Sequence, residues 1–387
     1  MGGAEGYIAD VSAALRTEGH ESHLIAFAPD ETGEPIVETT YAPAPEWPAA
    51  AVTTTDVISD VISQFRPDVA YVHTVYHPEL VDWIGRRLPT VAYIHGPYAV
   101  CPGSAQYLRH SARVCPRTAG AVCLIKAQTE KCCWGRDPLK HLRLLSRVRQ
   151  YRDAHLRMQR IIVGSEFMRQ LMIRGGAPVD KIMRLAPVLI DPQQVPQSHD
   201  QDEPIVLYAG RLTAEKGIRH LIQALAATES EWRLLIAGDG PERQPCQALV
   251  AKLGLANKIE FLGWLDAAAM DQCYQRCAVV AFPSLWPEPF GRVGPEAFMH
   301  GRPVVAYATG GIRDWLEDGA TGFLVPPGDV RLLGQQLKQI LEDPAQRRRM
   351  GAQAQHRAVT LWNSSQHVER LVAVFHEALI RDHCDAN

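Results

Sequence analysis

The stretch SLWPEPFGRVGPEAFMHGRPVVA, residues 284–306, sets two glutamates eight positions apart, with Phe290-Gly291 between them and Pro295 beside the second. An ionised carboxylate only accepts hydrogen bonds, so Glu288 and Glu296 at one helix mouth suit a ligand rich in hydroxyl donors. Gly291 would let the backbone approach such a ligand closely. Pro295 fits only in a first helical turn, where its missing N–H costs nothing. A second stretch, GRLTAEKGIRHL at 210–221, carries Arg211 and Lys216 five residues apart, with Gly217 opening a helix. An arginine fork and a lysine point charge beside the positive end of a helix can grip a diphosphate. The same pair could equally be a salt-bridged surface loop.

Both stretches need strands to aim them. Ten short apolar runs alternate with helix-period segments, at 22–27, 69–73, 90–95, 160–164, 205–210, 233–238, 258–263, 279–284, 303–307 and 322–326. Most are continuous β-branched or aliphatic runs, which suits parallel strands covered on both faces. Between them, IRHLIQALAAT (218–228) and DVRLLGQQLKQILED (329–343) hold apolar residues at helical spacing. The pattern is βαβ built twice: an α/β chain of two doubly wound, Rossmann-like domains facing across a cleft. Such sheets bind ligands beyond the carboxyl ends of their strands, where both charged stretches fall. The polar stretch 189–204, with three prolines, reads as a linker. The expected units are 1–188, the linker, 205–362, and a terminal helix and tail at 363–387 able to pack back on the first.

The bulk numbers agree with that outline. A chain of 387 residues exceeds one ordinary core, and 46% hydrophobic with 21% charged residues describes a globular protein. No apolar run is long enough to span a bilayer, and MGGAEGYIAD has no signal-peptide pattern. Nine cysteines, an odd number, argue for a reducing compartment, so a cytoplasmic protein is expected. The net charge of −3 hides an asymmetry. Residues 1–100 hold four Lys or Arg against fourteen Asp or Glu, and residues 101–160 hold thirteen against three. Either the two regions compensate as solvated surface, or the basic one meets an anionic partner.

The motifs GRLTAEKG (210–217), AGDGP (237–241), FLGW (261–264), EPFGRVGPE (288–296), GRPVVA (301–306) and TGFLVPPGD (321–329) cover the second half densely. In this order and spacing they resemble the family 4 retaining glycosyltransferases of the GT-B fold. The resemblance implies that Arg211 and Lys216 hold the diphosphate of a UDP- or GDP-linked sugar donor. Glu288 would bind the sugar hydroxyls with backbone at Phe290, Gly291 and Arg292, and Glu296 the nucleotide ribose. Arg292 departs from the aliphatic residue common there, but only its backbone is implied in donor contact, so the difference is set aside. Retaining glycosidases use a carboxylate nucleophile close to a carboxylic acid. The resemblance implies front-face displacement instead, in which the departing phosphate takes the acceptor's proton and the protein stabilises the diphosphate charge. No metal or cofactor is implied. The D-x-D match Asp200-Gln201-Asp202 lies in the linker and is not expected to bind metal. The acceptor would be a glycan or a lipid-linked glycan, in polysaccharide or cell-envelope synthesis.

In the first half, His95 ends a strand run. Such a histidine is ordinarily a capped loop residue, but in this family the matching one reaches the donor sugar, which makes His95 a candidate for positioning. The opening MGGAEGYIADVSAALRTEGHESHLIAF resembles the glycine loop and first helix of these enzymes, with Gly2 and Gly3 touching donor or acceptor. The strand that usually precedes them is absent from this sequence, so the first strand of the N-terminal domain is expected to be missing. Cys101, Cys115, Cys123 and Cys132-Cys133 share one loop-like region, with gaps of 14, 8 and 9 that match no standard zinc spacing. A metal or disulfide staple and unlinked buried thiols are the alternatives. Segment 136–160 carries eight Arg or Lys against two Asp around Leu139, Leu142, Leu145, Val148 and Leu156. This stripe either packs on its own domain or lies on anionic lipid at the inner membrane face. Without an aromatic stacking platform, nucleic acid is not an expected partner.

Two rivals remain to be weighed. An NAD-linked oxidoreductase would need a strand leading into G-x-G-x-x-G, and none does. A degenerate GT-B protein that binds nucleotide sugar without transferring it is the alternative, opposed by the intact donor residues.

Overall fold

The computed structural model describes residues 3–26, 39–41, 51–75, 77–133, 135, 137–196 and 203–385. Gly2 and Asp200-Gln201-Asp202 lie outside the described residues. The first half runs α1 (Gly3–Thr17), β1 (Leu24–Ala26), β2 (Thr39–Tyr41), α2 (Ala51–Phe65), β3 (Ala70–His73), α3 (Pro78–Gly85) and β4 (Thr90–Ile94). It continues with β5 (Tyr107–Leu108), β6 (Arg113–Val114), α4 (Val122–Thr129), α5 (Pro138–Arg157), β7 (Arg160–Val163), α6 (Glu166–Arg174) and β8 (Ile182–Arg184). The second half alternates β9 (Ile205–Ala209), α7 (Ile218–Ala226), β10 (Arg233–Ala237), α8 (Arg243–Lys252), β11 (Ile259–Gly263) and α9 (Ala267–Arg276). Then come β12 (Val279–Phe282), α10 (Val293–Met299), β13 (Val304–Tyr307), β14 (Gly322–Val325), α11 (Val330–Glu342), α12 (Pro344–Leu361) and α13 (Ser364–Asp385).

Two parallel sheets result, a four-stranded one in the order β3-β4-β7-β8 and a six-stranded one in the order β11-β10-β9-β12-β13-β14. Their strands are buried on both sides, as continuous aliphatic runs require. In β9 the side chains alternate: Val206 and Tyr208 join one core with α7 and α11, while Ile205, Leu207 and Ala209 join another with α10 and α12. The four-stranded sheet is covered likewise. Ala92, Ile94, Ile161 and Val163 face α3 and α5, and Val91, Tyr93 and Ile162 face α1 and α13. The last helix thus lies on the first sheet, through Leu371, Val374 and Ala378 beside Tyr7 and Val11 of the first helix. Among the described residues β3 is an edge strand, and β1 pairs only with β2, apart from the main sheet.

One helix differs from expectation. On α5 the buried side is His141, Leu145, Val148, Tyr151, Ala154 and His155, whereas Leu139 and Leu142 are 63% and 49% exposed. Apolar residues three apart slip about 60° per step on a 3.6-residue helix, so Leu139 and Val148 end about 180° apart. The stripe was not one face.

Candidate active site

The order of the six-stranded sheet reverses between β9 and β12, and a crevice opens beyond the carboxyl ends of two such strands. The loops leaving them, 211–217 and 283–292, are the two charged stretches. The Glu215 carbonyl ties them, accepting from Leu285 N at 2.9 Å and Trp286 N at 3.1 Å. Across that tie Lys216 Nζ stands 2.6 Å from Glu288 Oε1, with side chains only 14% and 6% exposed. Lys216 also lies over the Trp286 ring, 4.6 Å from its centroid. The sequence assigned these two groups different partners; in the structure they neutralise each other. A bound diphosphate would give Lys216 another anion and release Glu288 oxygens to accept from hydroxyls. Arg211 is exposed just past β9, its carbonyl accepting from the Tyr208 hydroxyl at 3.1 Å.

The loop that carries Glu288 is held by its carbonyls. Glu288 O accepts from Gly311 N at 2.7 Å, Pro289 O from the Ser165 hydroxyl, and Phe290 O from Trp315 Nε1 at 2.8 Å. The N–H groups of Phe290, Gly291 and Arg292 have no acceptor among the described residues, which leaves them open to one from outside the protein. Phe290 itself is 5% exposed in the core, leaving only its backbone for contact. Gly291 has φ +90°, and a Cβ there would sit 2.8 Å from the Phe282 ring. Packing on its own strand, not only approach to a ligand, demands the glycine.

Pro295 falls in the first turn of α10, as its missing N–H requires. Glu296 accepts from the Tyr274 hydroxyl at 2.9 Å, and its other oxygen is 3.8 Å from Arg292 Nε. The Arg292 side chain, set aside in the sequence, turns out to span the two halves. It donates to Gly3 O at 2.7 Å and to Asp10 Oδ2 at 3.2 Å on α1. Gly3 and Arg292 are therefore neighbours, with Glu296 beside them.

His95 follows β4 in an aromatic group. Its Nε2 is 2.9 Å from His73 Nδ1, and its ring stacks on Tyr93 at 4.3 Å. Burial, followed by the Arg292 charge, lowers the His95 pKa to about 4. At neutral pH the ring is uncharged and a weak base, which suits a positioning role better than proton abstraction. The charge of Arg292 reaches His95 and so links it to the loop after Glu288.

Residues 1–187 match Glycosyltransferase Family 4 and residues 190–357 match Glycosyl transferases group 1. The chain belongs to the family 4, group 1 glycosyltransferases. An alpha-D-kanosaminyltransferase of Streptomyces kanamyceticus is 32% identical over 179 residues, a match spanning 46% of this chain and 46% of that one. The chain thus aligns with about half the length of this curated relative. Among solved structures, HepE of Anabaena in complex with UDP-glucose superposes with a TM-score of 0.71 at 20% identity, over 97% of this chain and 96% of that one. Sucrose-phosphate synthase from Thermosynechococcus elongatus does so with a TM-score of 0.72 at 21% identity, over 100% and 94%. The fold is GT-B.

For a family 4 glycosyltransferase, four supporting residues were not read from the sequence: Asp10, Ser165, Tyr274 and Trp315. Ser165 carried a signal as the cap of α6, where it accepts from Met168 N at 3.2 Å. Its bond across to Pro289 carried none, since the two lie far apart in the chain.

The buried histidines predict an acid-sensitive fold. His155 and His367 are 2% and 4% exposed, and burial lowers both pKa values to about 4. The unfolded chain protonates them near 6.5, so stability is full above that value and falls as pH drops toward 4. Each contributes a slope of about 1.4 kcal/mol per pH unit within the window. The melting temperature should therefore fall steadily from pH 7 to pH 5, and a flat profile would contradict these assignments.

Proposed function

We propose that this protein is a retaining hexosyltransferase moving a sugar from a UDP- or GDP-linked donor to a glycan or lipid-linked acceptor in polysaccharide or cell-envelope synthesis. The observation that carries this reading is the Lys216–Glu288 pair at the point where the sheet order reverses. Lys216 and Arg211 stabilise the charge that develops on the departing diphosphate, which is the largest demand on the protein in such a displacement. Glu288 orients the sugar through its hydroxyls, and Glu296 the ribose. His95, uncharged, lines the sugar's side of the cleft. Relatives support the donor class: HepE is described with UDP-glucose, and the kanosaminyltransferase is a sugar transferase by name.

A panel of nucleotide sugars, followed by NMR of the product formed with the preferred donor, tests the proposal. Transfer with retained anomeric configuration, unchanged when Mg²⁺ and Mn²⁺ are omitted, is expected. Donor binding with neither transfer nor hydrolysis would favour a nucleotide-sugar-binding protein. Activity restored only by Mg²⁺ or Mn²⁺ would replace the cationic side chains by a metal in the mechanism.

The acceptor reading rests on the basic region. No helix among the described residues is long and apolar enough to cross a membrane. On α5, Lys140, Arg143 and Arg149 are exposed beside Leu139 and Leu142. Helix α4, joined to α5 by Gln128 and His141 at 3.3 Å, exposes Val122 and Ile125. Exposed apolar chains among cations suit the inner face of a membrane, each Lys or Arg contributing about 1 kcal/mol at an anionic surface. Salt-sensitive binding to phosphatidylserine vesicles is expected, weakened when Lys140, Arg143 and Arg149 become Gln. Indifference of the unaltered protein to such vesicles at low salt would make a soluble acceptor the better reading.

A further inference from the structure

The cysteines of the 101–133 segment are not scattered. Cys101, Cys115, Cys123 and Cys132 line one cavity of about 20 Å³, together with Arg117 and Lys126. They come from four separate places: the turn after β4, the strand end after β6, the first turn of α4 and the loop beyond α4. A fifth, Cys133, is buried, and no disulfide joins any of the five. The turn of Cys101 is pressed onto Cys132. At Gly103 a Cβ would collide with the Cys132 carbonyl oxygen and lie 3.4 Å from Cys133 Sγ. The N–H groups of Gln106, Ala105 and Gly103 are directed at Cys101, and that of Gly120 at Cys123.

We propose that these four cysteines form a site for one thiophilic divalent cation, with Zn²⁺ the fitting choice. Thiolates are the preferred ligands of such an ion, and four cysteines lining one small cavity supply the ligand type and number that its tetrahedral geometry demands. Backbone N–H groups stand ready to donate to metal-bound sulfur at Cys101 and Cys123, and Arg117 and Lys126 beside the cavity offset the negative charge of a tetrathiolate centre. Loading exchanges one thiol proton per sulfur for a metal bond and involves no oxidation, so no oxidant is required. As placed, no three His, Cys, Asp or Glu side chains among the described residues are gathered into a metal-holding group. Binding would therefore draw the sulfurs inward by side-chain rotation.

The segment also has a physical need for a cross-link. Its elements are a hairpin of two-residue strands and one short helix, with Tyr107, Ala127 and Cys133 as its main buried apolar chains. Among the described residues, four of the six non-glycine residues at positive φ fall here, at Ser104, Gln106, Ala112 and Lys131. Backbone of that kind persists only where the surroundings over-determine it, and small lobes without a core are commonly stapled by metal.

The test uses the full chain, purified under reducing conditions without chelator. Metal analysis should find close to one zinc per chain, released by a mercurial reagent that titrates thiols. Protein stripped of metal should take up Co²⁺ with the sulfur-to-metal charge-transfer absorption of a tetrathiolate. Cys115→Ser and Cys123→Ser should lose the metal, while Cys273→Ser, in α9 of the other half, should keep it. If the first two variants fail to fold, the Co²⁺ titration of the unaltered protein decides alone. Native protein that arrives without zinc and binds no Co²⁺ would overturn the proposal, as would disulfides joining these cysteines after purification.

Discussion

Glu288→Gln is expected to lower turnover about 100- to 1,000-fold, with a smaller fall in melting temperature than Glu288→Ala. The amide keeps a hydrogen-bond acceptor near Lys216 Nζ, 2.6 Å away in the parent, but removes the carboxylate charge proposed to orient sugar hydroxyls. Lys216→Ala should act differently. It removes a cation from the departing diphosphate, so it raises KM for the donor as well as lowering kcat. Glu288→Ala confounds the two effects, because stranding a buried lysine costs about 3 kcal/mol of stability. Steady-state kinetics with melting curves for all three variants separate these outcomes. Near-parental kcat and KM in both Glu288→Gln and Lys216→Ala would remove the donor assignment.

The second large effect is on stability, at Trp315. This residue is 1% exposed, packs edge-on to Phe298 at 5.5 Å, and donates to Phe290 O at 2.8 Å. Trp315→Ala should cost about 3–5 kcal/mol in denaturant unfolding, the usual price of emptying so large a site. Trp315→Phe keeps most of the volume and isolates the lost N–H, leaving the Phe290 carbonyl buried without its donor at about 1–3 kcal/mol. Because that carbonyl anchors the loop after Glu288, the Phe variant should also raise the donor KM. Parental stability and KM in Trp315→Phe would show that the loop does not depend on this bond.

Much of the architecture was legible because buried parallel strands announce themselves. Each of the ten apolar runs holds a strand, and the charged loops after β9 and β12 could be placed from that pattern. What escaped had weaker signals. Helix α12 buries Gly351, Ala354 and Ala358, with Met350 as its one large buried apolar side chain, so its face does not stand out by hydrophobicity. Strand β8 is three residues long, too short for a period. The site was legible in its residue types but not in its pairings. Lys216 and Glu288 are 72 positions apart and Arg292 and Gly3 are 289 apart, and only the closed chain decides whom a charge meets.

Helix α13 gives the chain an order of completion. The face of the first sheet formed by Val91, Tyr93 and Ile162 is closed by Leu371, Val374 and Ala378. Those residues leave the ribosome after the whole six-stranded half has emerged. The first half, although made first, has only α1 on that face until α13 arrives, while the second half can collapse around strands that are already available. Vectorial synthesis therefore reverses the apparent order, and the first sheet is fully covered only after the second has been made.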